Sequence, residues 1–343
     1  MNSLEGQTFD LLAIGAGPTG LACAIEAKRG GMRPLVIDKG CLCNSIYHYP
    51  TNMVFFTTAE RLEIGDLPLT SAETKPTRVE ALKYYRRTAD HYGLDLRLYE
   101  TVEGISGHDG AFEVSTRDAN GQRHSYKSRK VVLATGYYDR PNLMNVPGED
   151  LPHVSHYFTD PHPNWQQDVV VVGAKNSAAE AALELFRAGA RVTLVHRGPA
   201  LGATLKYWVK PDIENRIRAG EIRAHFNTKV LRFELAQVLV RNGAGEQGIP
   251  ATQVFALTGY HPDFAFLEKM GIALDPETRK PVCNPTTLES NVPGIYVAGV
   301  ILGGKYTGEI FIENGRFHGK QIISALTGKP GNLGPPPVSP PGE

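Results

Sequence analysis

The chain has 343 residues, of which 41% are apolar and 21% are charged, a balance that suits a globular protein of one large domain or two moderate ones. Lysine plus arginine and aspartate plus glutamate both number 36, and the resulting net charge of zero favours neither nucleic acid nor an anionic membrane surface as a partner. The longest apolar runs are far too short to span a bilayer, and the first ten residues lack the basic segment and apolar core of a signal peptide.

The first predicted unit is a strand, a glycine-rich loop, a helix and a second strand. An apolar run at 9–14 leads into the loop 15–20 (GAGPTG), an alanine-rich helix follows from 21 to about 29, and a strand at 34–37 ends at Asp38. The first glycine permits a tight turn, the second lets the backbone approach a pyrophosphate, and the third lets helix and strand pack closely. The free amides at the helix start favour phosphate, and Asp38 can accept hydrogen bonds from a ribose diol. With these flanking elements, the motif predicts a dinucleotide site.

A hairpin and a small-residue turn come next. Runs at 112–116 and 122–126 are joined by Asn120-Gly121, a dipeptide that predicts a β-hairpin. A buried strand at 130–133 then leads into the turn 134–136 (ATG), just ahead of a second glycine-rich loop.

That second loop repeats the order of the first unit. The strand 168–172 (DVVVV) is followed by the loop 173–178 (GAKNSA), by a helix at 179–187, and by a strand at 191–195. In the loop, a lysine occupies the place of the middle glycine and an alanine occupies that of the last one. The repeat predicts a second dinucleotide fold.

The residues after the second strand indicate which nicotinamide is bound. A site that reads a free 2′-hydroxyl carries an acidic residue here, whereas this chain carries His196 and Arg197. A guanidinium suits phosphate, so we predict NADPH rather than NADH, the alternative being an ordinary surface pair. The basic and aromatic run 206–210 either clamps the 2′-phosphate through Lys206 or Lys210 or forms an amphipathic surface turn.

The last predicted elements are a strand at 294–298, the dipeptide Gly299-Val300, and a helix that begins within 309–318. The amino-terminal end of this helix would stabilise negative charge on a reduced flavin. Gly and Pro dominate the sequence from Lys329 onward, which predicts a disordered tail.

Two dinucleotide folds in one chain indicate two nucleotides, most simply a resident FAD and a diffusible NADPH. In flavoproteins with two such folds, a turn like 134–136 passes close to FAD, which assigns FAD to the first fold. We therefore predict an α/β protein with two Rossmann-like three-layer dinucleotide-binding domains, in which the NADPH domain is inserted into the FAD domain. The predicted FAD domain comprises 1–141 and 258–328, the NADPH domain 142–257, and the disordered tail 329–343.

The sequence resembles the low-molecular-weight thioredoxin reductase group of flavoproteins, and within it the bacillithiol-disulfide reductases. Shared features are the two glycine loops, the turn 134–136, His196-Arg197, and the stretches NSIYHYPTNMVFF, LVHRG, KYWVKPDIENRI, TGYHPD and IFIENGRFHG. The resemblance covers nearly the whole chain apart from the tail. It implies a homodimeric oxidoreductase that uses FAD and NADPH and acts on a disulfide or on another acceptor.

The sequence also departs from this group. Thioredoxin reductases carry a Cys-x-x-Cys in the NADPH domain, but this chain has no cysteine between Cys43 and Cys283, which excludes that mechanism. Bacillithiol-disulfide reductases place a cysteine in the first glycine loop, where this chain has Thr19. The usual Gly-Asp near the FAD ribityl chain is here Gly299-Val300.

Cys41 and Cys43 are the remaining candidates for thiol chemistry. In the larger enzymes similar to glutathione reductase, the redox dithiol follows the same acidic strand end and faces the flavin. A strained C-x-C disulfide is easily reduced; the alternative is two incidental small residues in a loop. Four cysteines are too few for a disulfide scaffold, so we expect reduced thiols and a cytoplasmic location.

Together, the motifs and the resemblance define the predicted site. The residues expected to contact FAD are Gly15, Gly17, Pro18, Thr19, Gly20, Asp38, Lys39, Tyr47, His48, Ala134, Thr135, Gly136, Gly299, Val300, Ile310 and Phe311. Tyr47 and His48 either contact the flavin or serve in packing. The residues expected to contact NADPH are Gly173, Lys175, Asn176, Ser177, Ala178, His196, Arg197, Lys206, Thr258 and Gly259. No histidine spacing indicates a metal site.

Three functions remain open on the sequence alone. The first is an NADPH-dependent reductase of a low-molecular-weight or protein disulfide, which works through the flavin and either through Cys41/Cys43 or directly. The second is a ferredoxin- or flavodoxin-NADP reductase or diaphorase without thiol chemistry. The third is a flavin-binding redox sensor with a degenerate NADPH site, an idea that rests on Lys175 in the second loop.

Overall fold

The computed structural model describes residues 6–328, so the predicted Pro-rich tail lies outside the described residues. The strands within this range are β1 Thr8–Ile14, β2 Pro34–Asp38, β3 Asp95–Leu98, β4 Glu100–His108, β5 Ala111–Asp118, β6 Arg123–Leu133, β7 Val154–Ser155, β8 Asp168–Val172, β9 Arg191–Val195, β10 Arg223–His225, β11 Lys229–Glu234, β12 Gln237–Asn242, β13 Gly245–Pro250, β14 Gln253–Ala256 and β15 Ile295–Val297.

The helices connect these strands. The α-helices are α1 Pro18–Arg29, α2 Asn44–Tyr47, α3 Arg78–Tyr92, α4 Asn176–Arg187, α5 Lys210–Arg218, α6 Phe264–Lys269, α7 Ile312–Gly315 and α8 His318–Thr327. Short 3₁₀ turns occur at Ala59–Arg61, His162–Asn164 and Gly299–Gly303.

The chain divides into two compact units, and the second interrupts the first in sequence. Among the described residues, the first unit comprises the chain up to His48, Asn52–Arg140, and the chain from Tyr260 onward. The second unit comprises Tyr49–Thr51 and Pro141–Gly259.

The first unit is built on a seven-stranded sheet of order β3-β2-β1-β6-β5-β4, in which β15 also pairs with β6. The strands β3, β2, β1, β6 and β15 pair in parallel, and β4–β6 form an antiparallel meander. Along β1, Leu12 and Ile14 belong to one buried cluster, while Leu11 and Ala13 belong to another. Because neighbouring side chains point to opposite faces, both faces of this sheet are covered.

The second unit has a similar architecture with a smaller parallel sheet. Its parallel sheet has the order β10-β9-β8-β14-β7, and β11–β13 form a separate antiparallel sheet. Along β8, Val169 and Val171 pack into one buried cluster and Val170 and Val172 into another. The predicted α/β class with two Rossmann-like folds is therefore confirmed.

Two local predictions need adjustment. The predicted hairpin is present as β5 and β6, which pair antiparallel from Arg117 opposite Arg123, but a third strand, β4, extends it. The predicted helix within 309–318 is broken. It starts at Ile312, ends at Gly315, and resumes as α8 at His318.

Candidate nucleotide-binding sites

The first glycine loop shows which glycines the fold itself requires. Gly15 has φ +113°, and a Cβ there would overlap the carbonyl group of Ala134. A Cβ on Gly20 would overlap the carbonyl oxygen of Gly15. Gly17, in contrast, has φ −76° and caps α1, and a Cβ there would meet nothing within 4 Å. Since the fold does not exclude a side chain at Gly17, the glycine fits a need to admit a ligand to the helix terminus.

Asp38 joins the end of β2 to this loop. Its Oδ2 accepts the Ala16 N–H at 2.7 Å, and its Oδ1 accepts the Gly40 N–H at 2.8 Å. Burial raises the pKa of Asp38, and the two backbone hydrogen bonds oppose that shift. Each carboxylate oxygen has further acceptor capacity, so Asp38 can still receive ribose hydroxyls.

The turn 134–136 lies against the same loop. Ala134 is buried, and its N–H donates to the Ile14 carbonyl at 2.8 Å. The hydroxyl oxygen of Thr135 is buried and has no hydrogen-bond partner among the described residues. A buried hydroxyl without a partner is costly, and a polar ligand at this turn would satisfy it. These residues fit the FAD predicted here.

A residue that the sequence analysis did not single out, His318, fixes the carboxyl-terminal turn. Its Nδ1 accepts the N–H of Gly299 at 2.8 Å, and burial lowers its pKa to about 4. The imidazole is therefore neutral at ordinary pH and available as an acceptor. The Thr19 hydroxyl lies beside the same turn, because its Oγ1 is 3.1 Å from where a Cβ on Gly299 would sit. The shared stretch IFIENGRFHG contains this histidine, but its partner could not be read from the pattern.

The two candidate thiols lie between Asp38 and α2. Both are free, and burial raises the pKa of Cys41 and, much further, that of Cys43. The nearby Asp38 carboxylate adds to both shifts. Cys43 has φ 54° and donates its N–H to the Ala16 carbonyl at 3.0 Å. This environment favours the thiol over the thiolate that disulfide exchange requires.

The remaining predicted FAD contacts have varied surroundings. Lys39 forms an ion pair with Asp139 at 2.8 Å. Tyr47 is half exposed, with the Arg78 guanidinium 5.5 Å from its ring centre. His48 is exposed, and its carbonyl accepts the hydroxyl of Tyr138 at 3.3 Å.

At the start of α7, the N–H of Phe311 donates to the Asn314 side chain at 2.7 Å. The ring of Phe311 is 39% exposed, and Ile310 beside it is partly buried. The backbone N–H groups that follow, at the first turn of α7, have no partner within the helix and can receive an acceptor.

The second glycine loop repeats part of this geometry. Gly173 has φ +140°, and a Cβ there would lie 2.5 Å from the Leu257 carbonyl oxygen and 3.0 Å from the Cβ of Ala178. Lys175 caps α4 with extended backbone and an exposed side chain. The first amide groups of α4 have no partner within the helix, and such a helix start favours binding of a phosphate.

Asn176 and the residues after β9 complete this end of the second sheet. The Asn176 side chain accepts the N–H of Lys206 at 2.9 Å and donates to the Thr204 carbonyl at 3.3 Å. Burial and the neighbouring Arg197 charge lower the pKa of His196. Arg197 is exposed, and its side chain forms no ion pair with any described residue. It is available for a phosphate.

Glu180 on α4 is a further titratable group that the sequence analysis missed. Burial raises its pKa to about 7, Glu184 adds to the shift, and Lys206 opposes it. A carboxyl that titrates near neutral pH beside a nucleotide loop is typical of a functional site.

Thr258 and Gly259 hold the start of the second unit. The Thr258 hydroxyl donates to the Asn142 carbonyl at 2.6 Å, and the Asn142 N–H donates to the Gly259 carbonyl at 2.9 Å. Over residues 6–328 no group of side chains could hold a metal ion, and no helix in that range is long and apolar enough to cross a bilayer.

Comparison with known proteins gives consistent matches over most of the chain. The model of a family described as pyridine nucleotide-disulphide oxidoreductase matches residues 12–299. The chain is 44% identical over 317 residues to the bacilliredoxin reductase Bdr of Bacillus subtilis strain 168, with 92% of this chain and 96% of that protein covered.

Two solved structures are similar in both fold and sequence. The bacillithiol disulfide reductase Bdr from Bacillus cereus has a TM-score of 0.91 at 43% identity, with 94% of this chain and 100% of that chain covered. The corresponding protein from Staphylococcus aureus has a TM-score of 0.89 at 39% identity, with 94% and 99% covered.

Proposed function

Because the chain belongs to the pyridine nucleotide-disulphide oxidoreductase family, we propose that it is an NADPH-dependent flavoenzyme that reduces a thiol disulfide. The resemblance to bacillithiol-disulfide reductases is confirmed by the similar relatives, so the protein is an oxidoreductase that uses FAD and a reduced nicotinamide dinucleotide. Bound FAD supplies two-electron transfer between the nicotinamide and the disulfide.

The observation that carries the proposal is the turn at Thr135. Its hydroxyl is buried without a described partner, next to a glycine loop whose second glycine is open to a ligand. We assign FAD to the unit that contains this turn, with predicted bounds 1–141 and 258–328. We assign NADPH to the unit predicted at 142–257.

The chain's own residues bind and orient the two nucleotides. In the first unit, the amides at the start of α1 would bind the pyrophosphate of FAD, and Asp38 would accept hydrogen bonds from its ribose hydroxyls. The amides at the start of α7 would stabilise negative charge on the flavin. His318 keeps the Gly299 turn in place through its hydrogen bond of 2.8 Å.

In the second unit, Arg197 provides a free guanidinium at the end of β9. A guanidinium binds phosphate with two parallel hydrogen bonds, so it supports a preference for NADPH over NADH. The amides at the start of α4 would bind the pyrophosphate of NADPH, and the backbone of Lys206 lies near them because its N–H donates to the Asn176 side chain.

We propose that Cys41 and Cys43 take no part in the reduction of the substrate disulfide, for which FAD, when bound, would be the direct electron donor. Burial raises the pKa of Cys41 and Cys43, and Cys43 is nearly inaccessible at 1% exposure. The relatives are named for bacillithiol disulfide and bacilliredoxin, which makes a low-molecular-weight thiol disulfide or a small redox protein the proposed partner. The family resemblance supports a homodimer, and the free thiols support a cytoplasmic location.

Anaerobic titration of the FAD-loaded protein with NADPH, followed by thiol counting, tests this proposal. We expect full bleaching of the flavin, no new protein thiols, and unchanged disulfide turnover in Cys41→Ser and Cys43→Ser variants. Two new thiols for each FAD that vanish in either variant would instead show an internal dithiol.

The same preparation separates the alternative functions. Transfer to one-electron acceptors without turnover of bacillithiol disulfide would favour a ferredoxin- or flavodoxin-type reductase. A flavin that no reduced nicotinamide bleaches would contradict the proposed enzyme and favour a sensor.

A further inference from the structure

The loop that follows β9 carries two exposed aromatic side chains. Tyr207 is 81% exposed and Trp208 is 39% exposed. Their rings are 4.8 Å apart between centroids and meet at 88°, so the edge-to-face contact holds the plane of Tyr207. Because so little of Tyr207 is buried, the tyrosine contributes little to the folding of the second unit.

This loop is fastened to the second glycine loop. The Gly202 N–H donates to the Ala174 carbonyl at 2.8 Å. Further along, the Asn176 side chain donates to the Thr204 carbonyl and accepts the Lys206 N–H. Tyr207 is the next residue, so its backbone lies close to the start of α4.

The other end of the loop begins at the residues after β9 that are predicted to distinguish NADPH from NADH. The chain leaves β9 through His196 and Arg197 and then runs along the carboxyl edge of the sheet to the start of α4. In a Rossmann fold this edge receives the adenosine half of a dinucleotide. The neighbouring charges at Arg197 and Lys206 are positive, which suits an anionic nucleotide better than a second copy of this neutral chain.

We propose that Tyr207, held by Trp208, is the stacking platform for the adenine base of the nicotinamide dinucleotide. This inference rests on the proposed function, because it names the part of the second site that binds the purine. Aromatic side chains stack on any base face, which gives affinity for adenine but no discrimination at the 2′-position. That discrimination belongs to Arg197.

Calorimetric titration of the FAD-loaded protein with adenosine 2′,5′-bisphosphate tests the platform without requiring turnover. We expect Tyr207→Ala to weaken binding about tenfold, since base–aromatic stacking contributes on the order of 1–3 kcal/mol. Tyr207→Phe keeps the ring and should bind within about twofold of the wild type. Leu235→Ala, at a residue 78% exposed in the same unit, is the matched control and should not change binding.

A second probe lacks the purine. Reduced nicotinamide mononucleotide should bleach the flavin of wild type and Tyr207→Ala at the same rate, whereas NADPH at low concentration should be slower with the variant. If Tyr207→Ala slowed flavin reduction equally with both probes, the proposed adenine stacking would be wrong, because the substitution would then act on the whole unit.

Other outcomes separate this inference from the proposed function. If Tyr207→Ala left the nucleotide affinity unchanged but changed the sedimentation coefficient, Tyr207 would lie at an interface between copies of the chain. That result would contradict the proposed stacking role. Tyrosine-dependent binding of ADP, with no gain from the 2′-phosphate, would support the platform and contradict the NADPH preference.

Discussion

At the scale of single residues, the glycines of the first loop differ in what the fold demands of them. A Cβ at Gly20 overlaps backbone, whereas a Cβ at Gly17 meets open space. We expect Gly20→Ala to lower the unfolding free energy of the apoprotein by about 3 kcal/mol through overpacking. Gly17→Ala should cost about 1 kcal/mol as a weaker helix cap, yet it should reduce FAD affinity strongly.

Urea unfolding of the apoprotein and FAD titration measure both effects. A Gly17→Ala protein that binds FAD as tightly as the wild type would contradict the assignment of this loop to the pyrophosphate.

Thr135 gives a second prediction at this scale. Thr135→Val replaces a buried hydroxyl that has no described partner by a methyl group. Because an unsatisfied buried hydroxyl is unfavourable, the apoprotein should be as stable as the wild type or more stable by about 1 kcal/mol. The FAD complex loses a hydrogen bond, so its affinity should fall about tenfold.

Fluorescence titration of the apoprotein with FAD, together with thermal unfolding, measures the two changes. Thr135→Ser is the control that retains the hydroxyl. A Thr135→Val apoprotein that is clearly less stable would mean that the hydroxyl already has a partner.

At the scale of elements, α8 is tied to the Gly299 turn through a titratable side chain. The pKa of His318 falls from an ordinary 6.5 to about 4 in the folded protein. The unfolded chain therefore takes up the proton first as pH falls. The stability linked to His318 is fully present above pH 6.5 and is lost as pH falls towards 4, by on the order of 3 kcal/mol.

Denaturant unfolding of the apoprotein between pH 7 and pH 4 checks this sign. His318→Gln should flatten the loss of stability over this range, while His108→Gln, at an exposed residue of β4, should leave the slope unchanged. If the unfolding free energy of wild type and His318→Gln fell equally with pH, His318 would not be the cause of the loss of stability.

Sequence patterns predicted some elements better than others, for local reasons. β8 and β9 have the predicted bounds because each is a short run dominated by buried valine and leucine, a composition typical of buried parallel strands. The break between α7 and α8 was missed because no proline marks it. The bond from His318 to Gly299 joins residues 19 apart in sequence, and no periodicity encodes such a partner. The same holds for Lys39, whose partner Asp139 comes from a different segment.

At the scale of the whole molecule, each unit holds together its own chain ends at the junctions 140/141 and 259/260, which bound the long segment of the second unit. In the first unit, the His261 N–H donates to the Arg140 carbonyl at 2.9 Å, and the Arg140 side chain pairs with Asp263. In the second, Asn142 and Gly259 share a hydrogen bond of 2.9 Å. If the chain were cut at 140/141 and at 259/260, the two ends left in each unit would therefore already lie close together.

This arrangement predicts that the units fold separately. A chain in which two glycines join Arg140 to Tyr260 should keep FAD and lose reduction by NADPH. The fragment 141–259 should unfold cooperatively and bind adenosine 2′,5′-bisphosphate, because it has its own buried clusters. FAD content, circular dichroism and calorimetry give the readouts. Loss of FAD from the joined chain would show that the first unit depends on the second.

The closure at the junctions 140/141 and 259/260 has a consequence for how such enzymes diversify. A segment whose two ends lie close together can be replaced by a homologous segment without disturbing the rest of the chain, because the ends of the remaining chain are already close. A graft of a different 141–259 cassette would change the electron donor while the site of disulfide chemistry stays as inherited. The choice of donor and the choice of acceptor can therefore evolve, or be engineered, one at a time.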